Sequence, residues 1–141
     1  MHRYSGHTHL LVAVDCIIFG FDGDLLKLLL IQRAFKPEIG NWSLMGGFVE
    51  PEESLEQAAN WRGKNRIGLE GVYLEQLKAF GNPNRDPVER TVSIAYFALI
   101  DINKYKKQIS EEYHAEWFLM DQLPELIFDH LPLAMFAKDP H

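Results

Sequence analysis

The sequence predicts an α/β (α+β) fold in which a mixed β-sheet is sandwiched between helices. Three observations support this prediction. Residues 9–20 are apolar and β-branched on both faces, as in a central strand that is covered on both sides. Shorter strand-like runs follow, and turn residues separate them. An acidic segment after Pro51 has the composition of a helix start.

A β-hairpin is predicted first. We expect residues 9–20 to form its outgoing strand, Asp22-Gly23 to supply a tight turn, and residues 25–32 to form the returning strand. A loop that contains a proline and a glycine then leads to residues 42–49, which read Trp-Ser-Leu-Met-Gly-Gly-Phe-Val.

An amphipathic helix is predicted next. It should begin within the acidic residues 52–56, run to about Arg66 and end at Gly68, which suits a helix C-cap. Its core face should comprise Leu55, Ala58, Ala59 and positions 62, 63 and 66. The last three positions hold arginine, glycine and arginine, which conflict with a core pattern. This turn of the helix therefore either frays or faces a polar cavity or solvent.

The second half of the chain predicts further strands. Two lie near residues 73–80 and 91–101, and a polar loop with two prolines, residues 81–87, separates them. A short strand around residues 116–119 and a helical segment after Leu123 complete the pattern.

Composition is typical of one globular domain. The chain has 141 residues, of which 47% are hydrophobic, and we place the domain at residues 9–135 with tails at 1–8 and 136–141. A net charge of −6 argues against nucleic-acid binding by this segment alone. Cys16, the single cysteine, is expected to be a buried structural thiol. With no signal peptide and no membrane-spanning apolar run, we expect a cytoplasmic protein.

Residues 47–69 carry a spaced motif. Gly47 is followed by five residues, Glu53, seven residues, and then Trp-Arg-Gly-Lys-Asn-Arg-Ile-Gly-Leu. This frame resembles the Nudix box, which reads glycine, five residues, glutamate, seven residues, then Arg-Glu-apolar-x-Glu-Glu-x-Gly-apolar. Gly47, Glu53, Gly68 and Leu69 match the family at the correct spacing. The resemblance implies the Nudix fold, and the box helix is then the amphipathic helix described above.

The metal-binding positions of the box are substituted. Trp61 replaces the family's arginine, and Arg62, Asn65 and Arg66 replace its three metal-binding glutamates. Those three positions lie on one face of a helix, where carboxylates would hold Mg²⁺. A divalent cation ~4 Å from one arginine is repelled by roughly 8 kcal/mol at an effective dielectric of ~20. We therefore predict no metal site, no catalytic residues and no cofactor.

A second segment resembles a narrower branch of the Nudix superfamily. Residues 79–96, Ala-Phe-Gly-Asn-Pro-Asn-Arg-Asp-Pro-Val-Glu-Arg-Thr-Val-Ser-Ile-Ala-Tyr, are similar to ADP-ribose-type Nudix enzymes and to Nudix-related transcriptional regulators. Residues 116–118 and the helix start Phe128-Asp129-His130 look like the same branch. In such regulators a Nudix-like domain senses ADP-ribose or a sugar such as arabinose, and a winged-helix domain binds DNA. We expect this chain to be truncated before such a domain.

The resemblance and the residue types together predict a ligand site. It lies between the Gly46-Gly47 turn, the start of the box helix and the loop 85–90, and it comprises Trp42, Gly46, Gly47, Phe48, Glu53, Arg85, Asp86 and Arg90. Each assignment has a structural alternative. Arg85 and Asp86 could simply pin the loop, Trp42 and Phe48 could pack in the core, and Glu53 could favour the helix start.

The resulting hypothesis is a catalytically silent Nudix-like sensing domain of a transcriptional regulator. Its expected partner is a sugar such as arabinose or a sugar nucleotide, with the neutral sugar slightly preferred, and it is expected to form a homodimer and to contact no membrane. The alternative is a Nudix pyrophosphohydrolase that cleaves ADP-ribose-like nucleoside diphosphate sugars with Mg²⁺ held by carboxylates outside the box. A third reading is a structural or dimerisation module with an empty pocket.

Overall fold

The computed structural model describes residues 4–32, 40–60, 71–105 and 114–138. Seven strands in these ranges form one mixed sheet. They are β1 (Leu11–Asp22), β2 (Leu25–Gln32), β3 (Trp42–Ser43), β4 (Met45–Phe48), β5 (Glu75–Phe80), β6 (Thr91–Asp101) and β7 (Ala115–Leu119). The helices are α1, described over residues 55–60, α2 (Ile102–Tyr105) and α3 (His130–Lys138).

Strand β1 is the centre of the sheet. It pairs in parallel with β6 from Leu11↔Thr91 to Phe21↔Asp101. Its other edge is shared by two antiparallel partners, since β4 pairs with its first half and β2 with its second half. The order β3-β2-β1-β6-β5 results, with β4 added on β1 and β7 on β2. The mixed sheet that the sequence predicts is therefore confirmed.

Helices cover both faces of the sheet. On one face Val14, Cys16 and Ile18 form a cluster with Ala58 and Ala59 of α1. The opposite face of β1 packs in a second cluster that includes Leu133 and Ala134 of α3. Every residue from 14 to 20 is buried, as expected for a strand covered on both sides. The predicted arrangement of a sheet between helices is confirmed, and so is the burial of the Cys16 thiol.

The hairpin turn lies one residue later than the sequence predicts. Asp22 still pairs with Leu25, so the two turn residues are Gly23 and Asp24 rather than Asp22 and Gly23. Gly23 has a φ of 62°, which glycine adopts without steric cost at the first central position of a type II′ turn. Strand β1 likewise begins and ends two residues after the predicted range 9–20.

Helix α1 begins within residues 52–56, as the sequence predicts. Ser54 Oγ accepts the backbone N–H of Gln57, and Gln57 Oε1 accepts the backbone N–H of Ser54. This reciprocal pair is a capping box, which makes Ser54 the N-cap and starts the helix at residue 55. The predicted course of the helix to Arg66 and Gly68, with the substituted positions 61–66, lies outside the described residues.

Two later elements begin at other residues than the sequence predicts. Strand β5 begins at Glu75 rather than near Tyr73, which is 82% exposed. The helical segment expected after Leu123 is α3, which begins at His130. Within the described ranges, no helix combines the length and the apolar character that crossing a membrane requires.

The packing of α3 can be tested by truncation. Leu133 is fully buried against the sheet, so Leu133→Ala should lower the free energy of unfolding by about 2–5 kcal/mol through lost burial and the cavity that it leaves. Urea denaturation would measure the change. Leu131→Ala on the same helix is the matched control, because Leu131 is 44% exposed and its loss should change stability by about 0.5 kcal/mol or less. Equal losses in the two variants would contradict the assigned face of α3.

Candidate functional site

Three elements of the predicted ligand site meet at the amino end of β1. Phe48 of β4 pairs with Ala13, and the backbone N–H of Val49 donates to the Val12 carbonyl oxygen at 2.8 Å. On the other edge of β1 the N–H of Leu11 donates to the carbonyl oxygen of Arg90, the last residue of the loop 81–90. The β4 segment and this loop therefore flank the same three residues of β1, and α1 begins a few residues after β4.

The side chains of the predicted set are divided between the two faces of the sheet. Glu53 precedes α1, which covers one face. Trp42 packs in the cluster of the α3 face, and Arg85 is bonded to Asp129 immediately before α3. The structure therefore gathers the predicted elements at one end of the sheet without directing all of their side chains into one cavity.

Three of the predicted polar residues make local hydrogen bonds. Glu53 Oε1 accepts the backbone N–H of Glu50 at 2.8 Å, which organises the approach to α1. Asp86 Oδ1 accepts the backbone N–H of Val88 at 2.8 Å in a tight turn within the loop. Arg90 donates through Nη2 to the carbonyl oxygen of Gly81 at 3.1 Å and is exposed. Arg90 is thus placed where a ligand could reach its guanidinium group.

The two predicted aromatic residues differ in exposure. Trp42 stacks edge-on against Phe118, with ring centroids 4.9 Å apart, and is half-buried among residues packed under α3. Phe48 is 50% exposed at the end of β4. Trp42 follows the core-packing alternative, whereas Phe48 presents an apolar surface next to the amino end of β1.

The two predicted glycines lie in β4 opposite buried residues of β1. Gly46 pairs with Asp15 and Gly47 with Val14. A Cβ atom on Gly46 would overlap the carbonyl oxygen of Val14 and lie 2.7 Å from Asp15 Oδ1. Glycine is therefore required at position 46 by the close approach of β4 to β1, whatever further contact it makes with a ligand.

Arg85 is the most strongly bound of the predicted residues. Its guanidinium group donates to both carboxylate oxygens of Asp129, from Nε to Oδ2 at 2.8 Å and from Nη2 to Oδ1 at 2.7 Å. It also donates from Nη1 to the Thr91 carbonyl oxygen at 3.5 Å. The Arg85 side chain is only 5% exposed. Arg85 thus pins the loop, as in the structural alternative, but its partner is Asp129 rather than Asp86; a direct ligand contact stays a prediction.

Asp15 is the centre of a buried polar network. Ser93 Oγ donates a short hydrogen bond to Asp15 Oδ2, and Arg85 Nη2 lies 3.6 Å from the same oxygen. His130 Nε2 lies 3.5 Å from Asp15 Oδ1. A buried carboxylate requires such partners, because without them its desolvation would be strongly unfavourable. The network joins β1, β6, the loop 81–90 and α3 on the α3 face of the sheet.

The hydrogen bonds of His130 assign its tautomer. Nδ1 accepts the backbone N–H of Leu44 at 3.1 Å, so this nitrogen carries no proton and Nε2–H points toward Asp15. Ser93 and His130 both point toward Asp15. The ring nitrogens of His130 face the Leu44 N–H and Asp15, so neither activates the Ser93 hydroxyl. The arrangement therefore lacks the nucleophile–base contact of a catalytic triad, and it is suited to holding structure rather than to nucleophilic chemistry.

Asp15, Ser93, Asp129 and His130 were not among the predicted site residues. The signal for Asp15 was present, because a carboxylate within an apolar, doubly covered strand demands polar partners. No pattern in the sequence identified which residues those partners are, since Ser93 and His130 are 78 and 115 residues away along the chain.

The α1 face carries a separate polar contact. Tyr96 is almost fully buried, and its hydroxyl donates to Gln76 Oε1 at 3.3 Å. Burial raises the pKa of the Tyr96 phenol, and the Glu56 carboxylate of α1 raises it further. No group of three or more metal-ligating side chains occurs in the described parts of the chain. Positions 62, 65 and 66 lie outside those parts.

Comparisons with known sequences identify relatives over nearly the whole chain. A sequence profile of the NUDIX domain matches residues 9–137. The ADPR responsive transcriptional repressor NtrR of Acinetobacter baylyi is 38% identical over 140 residues, which span 96% of this chain and 56% of that protein. The ADP-ribose pyrophosphatase of Methanocaldococcus jannaschii is 36% identical over 130 residues, 92% of this chain and 74% of that protein. The chain thus spans little more than half the length of the repressor.

Solved structures show the same fold. The NUDIX domain of Shewanella oneidensis NrtR, complexed with ADP ribose, matches with a TM-score of 0.80 at 31% identity, covering 99% of this chain and 93% of that chain. NrtR of the same organism complexed with a 27mer DNA matches with a TM-score of 0.81 at 34% identity, covering 92% of this chain and 61% of that chain.

The contact between β4 and Asp15 can be tested at Gly46. Gly46→Ala should lower the free energy of unfolding by about 1–3 kcal/mol, because the new methyl group forces the β1 and β4 backbones apart. Thermal and urea denaturation would measure this loss. Gly81→Ala is the matched control, since its Cβ atom would meet nothing within 4 Å. A Gly46→Ala protein as stable as the control would contradict the close approach.

The burial of Tyr96 predicts a pH dependence. Because its pKa is raised on folding, the stabilisation is fully present below about pH 10 and is lost as the pH rises above that value. The free energy of unfolding of the wild type should therefore fall more steeply above pH 10 than that of Tyr96→Phe. Tyr73→Phe, at an exposed position, should keep the wild-type slope. Identical slopes in all three proteins, measured by urea denaturation, would refute the prediction.

Proposed function

The chain belongs to the NUDIX domain family, and from this premise we propose that it is a sensing domain that binds a nucleoside diphosphate sugar of the ADP-ribose type without cleaving it. The observation that carries the proposal is the composition of its box. Gly47 and Glu53 are retained, whereas Arg62, Asn65 and Arg66 occupy the positions of the metal-binding carboxylates. A domain that keeps the family frame but lacks these oxygen ligands is suited to binding rather than to metal-dependent hydrolysis.

The relatives favour ADP-ribose over a neutral sugar. A repressor that is 38% identical is named for its response to ADPR, and a 31% identical NUDIX domain was crystallised with ADP ribose. The residue chemistry agrees, because guanidinium groups recognise phosphate oxygens through paired donors. Exposed Arg90 lies beside the amino end of β1, and Phe48 offers an apolar face on the neighbouring strand. Arabinose is therefore the less favoured ligand.

The second candidate function is ADP-ribose hydrolysis. It is favoured by the 36% identity to a protein named ADP-ribose pyrophosphatase. Hydrolysis with Mg²⁺ would require carboxylates other than those of the box to hold the metal. Glu53 is engaged with the Glu50 backbone, and Glu56 lies near the Tyr96 hydroxyl on the α1 face. We therefore infer that this activity is absent and that no cofactor is needed for binding.

The role of the whole protein is also part of the proposal. By its similarity to repressors, we infer that the domain reports ligand occupancy to a DNA-binding segment and that it acts as a homodimer. The chain spans 56% of the repressor's length. With a net charge of −6, this segment alone should not be retained on duplex DNA.

Calorimetric titration with ADP-ribose tests the binding proposal. We expect saturable one-site binding whose affinity does not change when Mg²⁺ is added. Arg90→Ala should weaken binding by about 1–3 kcal/mol, as for a lost hydrogen bond to a charged group. Lys104→Ala is the matched control, because α2 follows the opposite end of β6, roughly 35 Å from Arg90 at ~3.3 Å per strand residue.

A parallel assay distinguishes sensing from hydrolysis. ADP-ribose incubated with the protein and Mg²⁺ or Mn²⁺ should remain intact, as judged by chromatography for AMP and ribose phosphate. Turnover that EDTA abolishes would favour the pyrophosphatase instead. Binding of arabinose with no binding of ADP-ribose would reject the nucleotide and retain a sugar sensor.

A further inference from the structure

Two consecutive residues at the start of α3 hold the two elements that flank the proposed ligand site. Asp129 accepts two hydrogen bonds from Arg85 of the loop 81–90, at 2.7 and 2.8 Å. His130 accepts the backbone N–H of Leu44, which directly precedes β4. The loop and the β4 segment are thus both attached to a single point in the fold.

The position of the loop depends on this attachment. Its other hydrogen bonds in the described structure are mostly internal: Asn84 and Arg85 bond to Asn82, Val88 bonds to Asp86, and Arg90 bonds to Gly81. The described bonds to the rest of the domain are the backbone bond from Leu11 to Arg90, the bond from the Thr91 hydroxyl to the Glu89 carbonyl oxygen, and those of the buried Arg85 guanidinium group. Of these, only the Arg85 bonds reach the start of α3. A displacement of the loop therefore acts on Asp129.

The segment before α3 is held in an unfavourable conformation. Phe128 has a φ of 49°, in the left-handed region that bulky side chains rarely adopt. It lies between Ile127, whose N–H donates to the Trp42 carbonyl oxygen, and the Asp129–His130 pair. Such strain persists only where the surroundings enforce it, and it is common in segments that change conformation.

The charges of the network also favour a role in positioning rather than in stability. Two carboxylates, Asp15 and Asp129, share one guanidinium group, Arg85, and His130 is neutral in its hydrogen-bonded tautomer. Apolar replacements of buried ion pairs often leave stability unchanged or improve it, so a buried pair is weak evidence of a stabilising role. A role in setting the position of the loop relative to α3 accounts better for an arginine that joins the two.

We propose that Asp129 and His130 couple ligand occupancy at the amino end of β1 to the position of helix α3. The inference rests on the proposed function, since the ligand is the ADP-ribose-type nucleotide inferred above. When the nucleotide displaces the loop 81–90 or β4, the hydrogen bonds to Asp129 and His130 change. The strained residue Phe128 then allows the start of α3 to shift. By linkage, any partner that fixes α3 alters nucleotide affinity to the same extent.

Hydrogen-exchange mass spectrometry of the complete chain tests this coupling. In the wild type, saturating ADP-ribose should change the deuterium uptake of residues 130–138, in addition to that of the loop. In Asp129→Asn, which keeps the side-chain shape but loses the charge, the change in α3 should fall by more than half while the loop still responds. Asp121→Asn, at an exposed aspartate between β7 and α3, is the matched control and should respond like the wild type.

The outcomes are distinguishable. If calorimetry detects no ADP-ribose binding by the wild type, the proposed function fails and the coupling fails with it. If ADP-ribose binds but α3 exchange is unchanged, or if Asp129→Asn responds fully, the coupling is refuted and the binding function stands. Should Asp129→Asn not fold, Arg85→Lys replaces it; lysine keeps the charge but lacks the paired donors, and a full α3 response would again refute the coupling.

Discussion

The burial of one carboxylate, that of Asp15, constrains much of this fold. Asp15 lies in the middle of β1, the strand that both helical layers cover, and it is 6% exposed. Its desolvation must be offset by hydrogen bonds and charge, which come from Ser93, Arg85 and His130. Each partner belongs to a different element, so satisfying Asp15 also brings together β6, the loop 81–90 and α3. Beside this carboxylate, the close approach of β4 to β1 requires glycine at position 46.

The two faces of the sheet carry different groups. The α1 face carries the helix of the Nudix box, packed through Ala58 and Ala59, together with the Tyr96 hydroxyl near Glu56. The α3 face carries the buried charge network and the aromatic packing of Trp42. At the amino end of β1, Phe48 of β4 lies on one edge and Arg90 of the loop 81–90 on the other.

The box of this chain keeps residues of the family frame, among them Gly47 and Glu53. Gly47 pairs with Val14 in the sheet, and Glu53 bonds to the backbone of Glu50, so both are supported by the fold itself. The metal-binding positions lie outside the described residues, and in this chain they hold two arginines and an asparagine. The chain is similar both to an ADPR responsive repressor and to an ADP-ribose pyrophosphatase.

The sequence by itself determined the strands, because alternation and apolar runs report local burial: β2 and β6 have the predicted limits, and Ala58 and Ala59 lie in the core as expected. The sequence predicted the turn less well, because the hairpin turn lies one residue later than expected and places Gly23 at a positive φ. Only the tertiary structure decided the partners of Arg85 and Asp15. Those bonds join residues such as Arg85 and Asp129, 44 positions apart, and no local periodicity encodes a contact that exists only when the sheet and α3 are assembled.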